Sequence, residues 1–186
     1  MGGPDKRTKG KEAMKRKVLI IAAAVALAAC ARAAEPTTGT INVTGQDYAF
    51  RGVPELVATG AELTFTNSSA AEFHEMVVLR VVDGETLTVE ELLALPEEEA
   101  ESVTEFQGVL VAMPGEDAIN PEGGDPSVTL TQPGRYILIC AIPQGADPEA
   151  VAAAMQSAGG EQPALEGGAP HFTIGMATGF SVEGDA

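Results

Sequence analysis

Between Thr40 and Val182 the apolar residues fall in short runs of period two, and Gly or Pro interrupts most of these runs before they reach helical length. Thr40-Ile41-Asn42-Val43-Thr44 and Glu62-Leu63-Thr64-Phe65-Thr66-Asn67 alternate, and Met76-Val77-Val78-Leu79-Arg80-Val81-Val82 is a β-branched run. Ser127-Val128-Thr129-Leu130-Thr131 follows later. After a Pro133-Gly134 turn come Arg135-Tyr136-Ile137-Leu138-Ile139-Cys140 and a last run around Gly179-Phe180-Ser181-Val182. Alternation at every second residue gives each run one face for a core and one for water. Several such strands joined by Gly/Pro turns predict an all-β antiparallel sandwich.

Two insertions read as helix. Thr88-Val89-Glu90-Glu91 has the spacing of a capping box and opens a short helix through Leu93, which Pro96 stops or resets before Glu97-Glu98-Glu99. Between Cys140 and His171, Asp147 is placed to cap, Pro148 suits the first helical position, and Glu149 to Met155 favour helix before Gly159-Gly160. The run Glu166-Gly167-Gly168-Ala169-Pro170 is a loop without a phosphate-binding pattern.

The head of the chain has a different grammar. Lys6, Arg7, Lys9, Lys11, Lys15, Arg16 and Lys17 precede an uncharged run from Val18 to Ala29, which is too short to span a bilayer and has the outline of a signal peptide. Leu27-Ala28-Ala29-Cys30 resembles the lipobox of bacterial lipoproteins. That resemblance implies a signal peptide over 1–29 and a diacylglyceryl thioether on Cys30; the small polar residues that follow read as a tether over 30–38, and the length that remains predicts a single folded domain over 39–186. The lipobox resemblance implies a protein held by lipid on the outer side of a bacterial cell membrane. The bland alternative is ordinary secretion with Cys30 an incidental thiol.

Beyond the leader the only basic residues are Arg32, Arg51, Arg80 and Arg135, and the whole chain carries 11 Lys and Arg against 27 Asp and Glu. So acidic a surface repels nucleic acid and steers cationic partners towards it, although acidity can equally serve solubility alone. With Cys30 in the anchor, Cys140 is the one thiol left to the domain. An unpaired thiol in an oxidising compartment is a liability unless it is buried or bound.

The chain holds two histidines, and the order His74, Cys140, His171, Met176 presents two imidazoles, a thiolate and a thioether. Soft sulfur donors suit Cu(I) and imidazole suits either oxidation state, so this set fits a mononuclear blue-copper site. Each residue also has a structural reading. Cys140 shares a strand face with Tyr136 and Leu138, as a core cysteine would, and a lone histidine is commonly a hydrogen-bonded core residue. Met176 can be core, and Met76, two residues from His74, is a rival axial donor.

Phe65-Thr66-Asn67 followed by Phe73-His74 resembles the strand and loop that deliver the first histidine in cupredoxins such as plastocyanin and azurin. Pro133-Gly134-Arg135-Tyr136-Ile137-Leu138-Ile139-Cys140, with His171 and then Gly175-Met176, resembles their C-terminal ligand loop. The resemblance implies a cupredoxin-like Greek-key β-sandwich with one type 1 copper ion on His74, Cys140, His171 and Met176. It also implies an extracytoplasmic electron carrier that is not an enzyme; the acidic composition points to a cationic redox partner, and loop position makes Pro170, Phe172 and Ile174 the candidates for an apolar transfer patch. Two features depart from the family. Cys140 and His171 stand 31 positions apart where cupredoxins usually need a few, and Glu75 follows the first histidine where an asparagine is common. Copper storage or delivery by the same ligands, and a copper-free sandwich that binds a partner, are the competing functions. A multicopper enzyme would need further histidines, and a catalytic zinc site wants three borderline ligands with open water.

Overall fold

The computed structural model describes residues 34–157 and 164–184. The expected signal peptide, Cys30 and the start of the tether lie outside the described residues, as do Gly159 and Gly160.

Nine strands are described: β1 Thr40–Gln46, β2 Ala49–Arg51, β3 Leu56–Ala58, β4 Glu62–Asn67, β5 His74–Val81, β6 Thr104–Ala112, β7 Val128–Thr129, β8 Gly134–Ile139 and β9 Ala177–Glu183. They form two sheets, β2-β1-β4-β7 and β3-β9-β8-β5-β6. The fold is an all-β sandwich of two mixed sheets. Its ladders are antiparallel except two: β1 runs parallel to β4, and β3 runs parallel to β9. The reason is topological. The β1–β2 hairpin is followed by β3 in the opposite sheet, so β4 re-enters the first sheet in the direction of β1. Contact with the sheet also begins inside the expected tether, where Thr37 pairs with Val57.

Period two decides what each strand buries. Along β8, Tyr136 and Leu138 enter the main core with Ile41, Val43, Leu63, Phe65, Met76, Val78 and Leu110, and Cys140 continues that face. Ile137 points the other way, into a smaller cluster with Val81 and Leu92. Burying each such large apolar side chain stabilises the fold by about 1.5–3 kcal/mol.

The second cluster exists because helix α1, Val89–Leu93, lies on the outer face of the five-stranded sheet and is followed by α2, Glu97–Val103. The capping box is formed: Glu91 N–H donates to Thr88 Oγ1 at 3.2 Å, and Thr88 N–H donates to Glu91 Oε2 at 2.8 Å. Pro96 takes the N-cap position of α2, so it resets the helix. In the second insertion α3 runs Pro148–Ser157, opened by Ala150 N–H donating to the Asp147 side chain at 2.9 Å. Strand β6 has no counterpart in the sequence reading. Its pairing with β5 shifts register between Val78 and Leu79, leaving Gln107 unpaired, which breaks the alternation that would have revealed it.

Candidate metal centre

Four segments meet at one end of the sandwich: the start of β5, the residue after β8, a one-turn 3-10 helix His171–Ile174, and the residue before β9. The long excursion between Cys140 and His171 is closed at its base by its own backbone. His171 N–H donates to Ile142 O at 2.9 Å, Phe172 N–H to Cys140 O at 2.8 Å, Gln144 N–H to Ala169 O at 3.0 Å and Gly168 N–H to Gln144 O at 2.8 Å. These four bonds bring residues 140–144 against 168–172, so the length of the insertion does not decide where His171 stands. Met176 is tied into the same knot: its N–H donates to His171 O at 2.9 Å and its C=O accepts from Cys140 N–H at 3.2 Å.

The donor atoms converge. His74 Nδ1 lies 3.2 Å from His171 Nδ1, and Cys140 Sγ lies 3.4 Å from His171 Nδ1 and 4.0 Å from His74 Nδ1. A point equidistant from three atoms so spaced lies about 2.1 Å from each, within the range of metal–imidazole and metal–thiolate bonds. His74, Cys140, His171 and Met176 are all fully buried. Two neutral imidazoles that face each other through Nδ1 at this distance need a proton or a cation between them.

Burial also sets the protonation states. It lowers His74 to about 4, with the neighbouring His171 acting in the same direction. His171 is lowered by burial as well, against the opposing pull of Glu72. Both imidazoles are therefore neutral with lone pairs to give. Burial, reinforced by the charge of Glu75, pushes the Cys140 thiol far above its ordinary range, so a thiolate here requires a cation beside it. A soft thiolate and two imidazoles at bonding distance of one point fit copper.

The Met176 side chain reaches towards β1, where a Cβ added at Gly45 would come within 3.1 Å of Met176 Cε. Met76 is buried in the main core. The expected transfer patch is uneven. Ile174 is 41 % exposed, while Pro170 and Phe172 are half-buried.

Several residues around the donors have roles that the sequence did not assign them. Asn67, fully buried, donates through Nδ2 to Glu72 O at 2.8 Å and Ala112 O at 3.1 Å, and accepts from Ser69 N–H at 2.9 Å. It thereby fixes the loop that leads into His74. Glu72 and Tyr48 stand beside His171, with Tyr48 Oη donating to Glu72 Oε1 at 2.9 Å. Glu75, noted as a departure, gives its N–H to Cys140 Sγ at 3.4 Å, and its Oε1 accepts from Ala141 N–H at 2.8 Å. An asparagine at a strand end before a Ser-rich turn was a readable signal for Asn67; the others depend on contacts distant in sequence.

No family model matches the chain, and no curated protein matches it either. Among solved structures, a dithionite-reduced auracyanin from the photosynthetic bacterium Roseiflexus castenholzii has 20 % identity over 80 % of this chain and 99 % of its own, with a TM-score of 0.47. Auracyanin A, described as a "blue" copper protein from Chloroflexus aurantiacus, has 18 % identity over 79 % of this chain and 100 % of its own, with a TM-score of 0.42. A copper-containing nitrite reductase from Thermus scotoductus has 17 % identity, with 86 % of this chain and 25 % of that one covered and a TM-score of 0.34. The sandwich and its donor cluster stand on this chain's own geometry.

Proposed function

We propose that this chain is a mononuclear type 1 copper protein that carries single electrons outside the cytoplasm. The observation that carries the reading is the triangle of His74 Nδ1, His171 Nδ1 and Cys140 Sγ, which puts one point at bonding distance from three donors of the right chemistry. Met176 would supply the thioether donor, supported by its burial and by its backbone bonds to both His171 and Cys140. Bound copper supplies a one-electron couple between Cu(II) and Cu(I). The residues supply rigidity: each donor segment is pinned by backbone hydrogen bonds or strand pairing, which limits movement when the charge at the centre changes.

Both histidines of the chain lie in this one cluster, which favours a carrier over a multicopper enzyme. The acidic composition suits docking of a cationic redox partner. Among the described residues no helix is long and apolar enough to cross a membrane. Attachment is assigned to a lipid on Cys30 after removal of 1–29, by the lipobox resemblance.

The test is a Cu(II) titration of the domain from residue 31, followed by visible and electron-spin spectra, beside Cys140→Ser. An intense blue charge-transfer band with narrow copper hyperfine splitting, lost in Cys140→Ser, is the expected result. Reversible voltammetry then identifies a carrier; transfer of the metal to an acceptor without a reversible couple identifies copper delivery instead. A protein that takes up neither Cu(II) nor, under reducing conditions, Cu(I) rejects both.

A further inference from the structure

The two imidazoles are not held alike on their far sides. Both Nε2 atoms are buried without a well-formed hydrogen bond among the described residues. His171 Nε2, however, lies 3.5 Å from Glu72 Oε2, at the outer limit of hydrogen bonding.

That carboxyl group is itself clamped. Tyr48 Oη donates to Oε1 at 2.9 Å, and Gly145 N–H donates to Oε2 at 3.1 Å. Gln144 Nε2 donates in turn to Tyr48 Oη at 3.1 Å. The backbone of Glu72 is fixed from both ends, its N–H by Ser69 Oγ at 3.1 Å and its C=O by Asn67 Nδ2 at 2.8 Å. Three distant parts of the chain thus converge on one glutamate, whose side chain is 19 % exposed.

Tyr48 is held at a cost. It follows Asp47 in the turn between β1 and β2, and the two have φ of 65° and 41°. Turns of this hand prefer Asn-Gly, and a tyrosine in the left-handed region is strained by about 1–3 kcal/mol. The strain places its ring edge-on to His171, with centroids 4.8 Å apart at 65°, while its hydroxyl reaches Glu72. Strain held in this way clusters at functional sites.

We infer that Glu72 is the positioning residue of His171, taking the Nε2–H of the imidazole so that the Nδ1 lone pair faces Cys140 and His74, and placing a negative charge behind the copper ligand that favours the oxidised ion. The claim about copper rests on the function proposed above; the claim about the imidazole does not. A carboxylate behind a metal-bound histidine fixes its tautomer and raises its basicity. The same charge stabilises Cu(II) over Cu(I) and so lowers the potential.

The test compares wild type, Glu72→Gln and Glu72→Ala in the intact domain. In the copper-free protein, imidazole nitrogen NMR is expected to show His171 as the Nε2–H tautomer in wild type and in Glu72→Gln, whose amide oxygen still accepts, and as a mixture in Glu72→Ala. In the copper-loaded protein, Glu72→Gln is expected to raise the midpoint potential with its visible spectrum unchanged, and Glu72→Ala to lower Cu(II) affinity by about 10- to 100-fold. Tyr48→Phe, which frees Oε1 and keeps the ring, should fall between wild type and Glu72→Ala. The same tautomer in all proteins, or a potential unmoved by Glu72→Gln, overturns the assignment. If wild type binds no copper, the proposed function fails while the NMR comparison still decides whether Glu72 orients His171.

Discussion

Glu75 and Cys140 are joined through the backbone: the amide of Glu75 donates to Cys140 Sγ at 3.4 Å, and the Glu75 carboxyl, buried on the other face of β5, bonds the amide of Ala141 next door. Burial raises Glu75 to about 7 from an ordinary 4.5, against the opposing Ala141 bond. A group whose pKa is raised in the folded state supports the fold fully below its unfolded value and loses that support as pH rises through the folded value. Each tenfold change in an acidity constant between the unfolded and folded states is worth roughly 1.4 kcal/mol. Between pH 4.5 and 8 the copper-free domain is therefore expected to lose about 3 kcal/mol of stability through Glu75. His74, lowered to about 4, works oppositely and costs stability below pH 6.5. The readout is accordingly the difference in urea unfolding between wild type and Glu75→Gln, which should grow with pH from 5 to 8. A constant difference refutes it.

Asn67 satisfies two carbonyls and one amide of the loop entering His74. Asn67→Ala leaves these buried groups unpaired and should destabilise the domain by about 3 kcal/mol in urea unfolding. It also releases the segment that carries Glu72 and His74. Copper should then be lost faster to a chelator than from a control destabilised through another segment, such as Val151→Ala, whose Val151 is buried on α3.

Gly45 leaves room that other side chains use. A Cβ there would stand 2.8 Å from Phe65 Cζ and 3.1 Å from Met176 Cε, closer than packed atoms sit. Gly45→Ala is expected to cost about 1–3 kcal/mol and to displace Met176. If Met176 is the axial donor, both Gly45→Ala and Met176→Leu shift the copper spectrum and raise the potential. A spectrum indifferent to both leaves Met176 as core and removes it from the ligand set.

What the sequence made legible follows from what is local. The alternation of Glu62–Asn67 places that strand at its observed bounds, and the Thr88 capping box and the Asp147-Pro148 helix start are visible because caps involve neighbours in sequence. The order His74, Cys140, His171 announced three donors that the fold brings together. Strand β6 was hidden by its register shift, and the parallel ladders by a crossover that no single strand encodes. Glu72 could not be found because its partners Tyr48 and Gly145 are 24 and 73 positions away. For Glu75 the residue was noticed and its role was not, since identity does not reveal which face of β5 is buried.

The distance in sequence between Cys140 and His171, a departure from the cupredoxin pattern, becomes a test of how the site is held. Gly167 has φ of 159°, and a Cβ there would stand 2.6 Å from Pro143 Cβ and 3.1 Å from Gln144 O. Gly167→Ala therefore pushes apart the two backbones that close the base of the insertion, without touching a donor. The expected result is a fall in Cu(II) affinity of about tenfold or more, as for other changes behind the ligands. Val151→Ala, on α3 within the same insertion, should cost about 2 kcal/mol of stability and leave affinity within a fewfold of wild type. If the two variants weaken copper equally, the whole insertion, and not its hydrogen-bonded base, is what holds His171 beside Cys140.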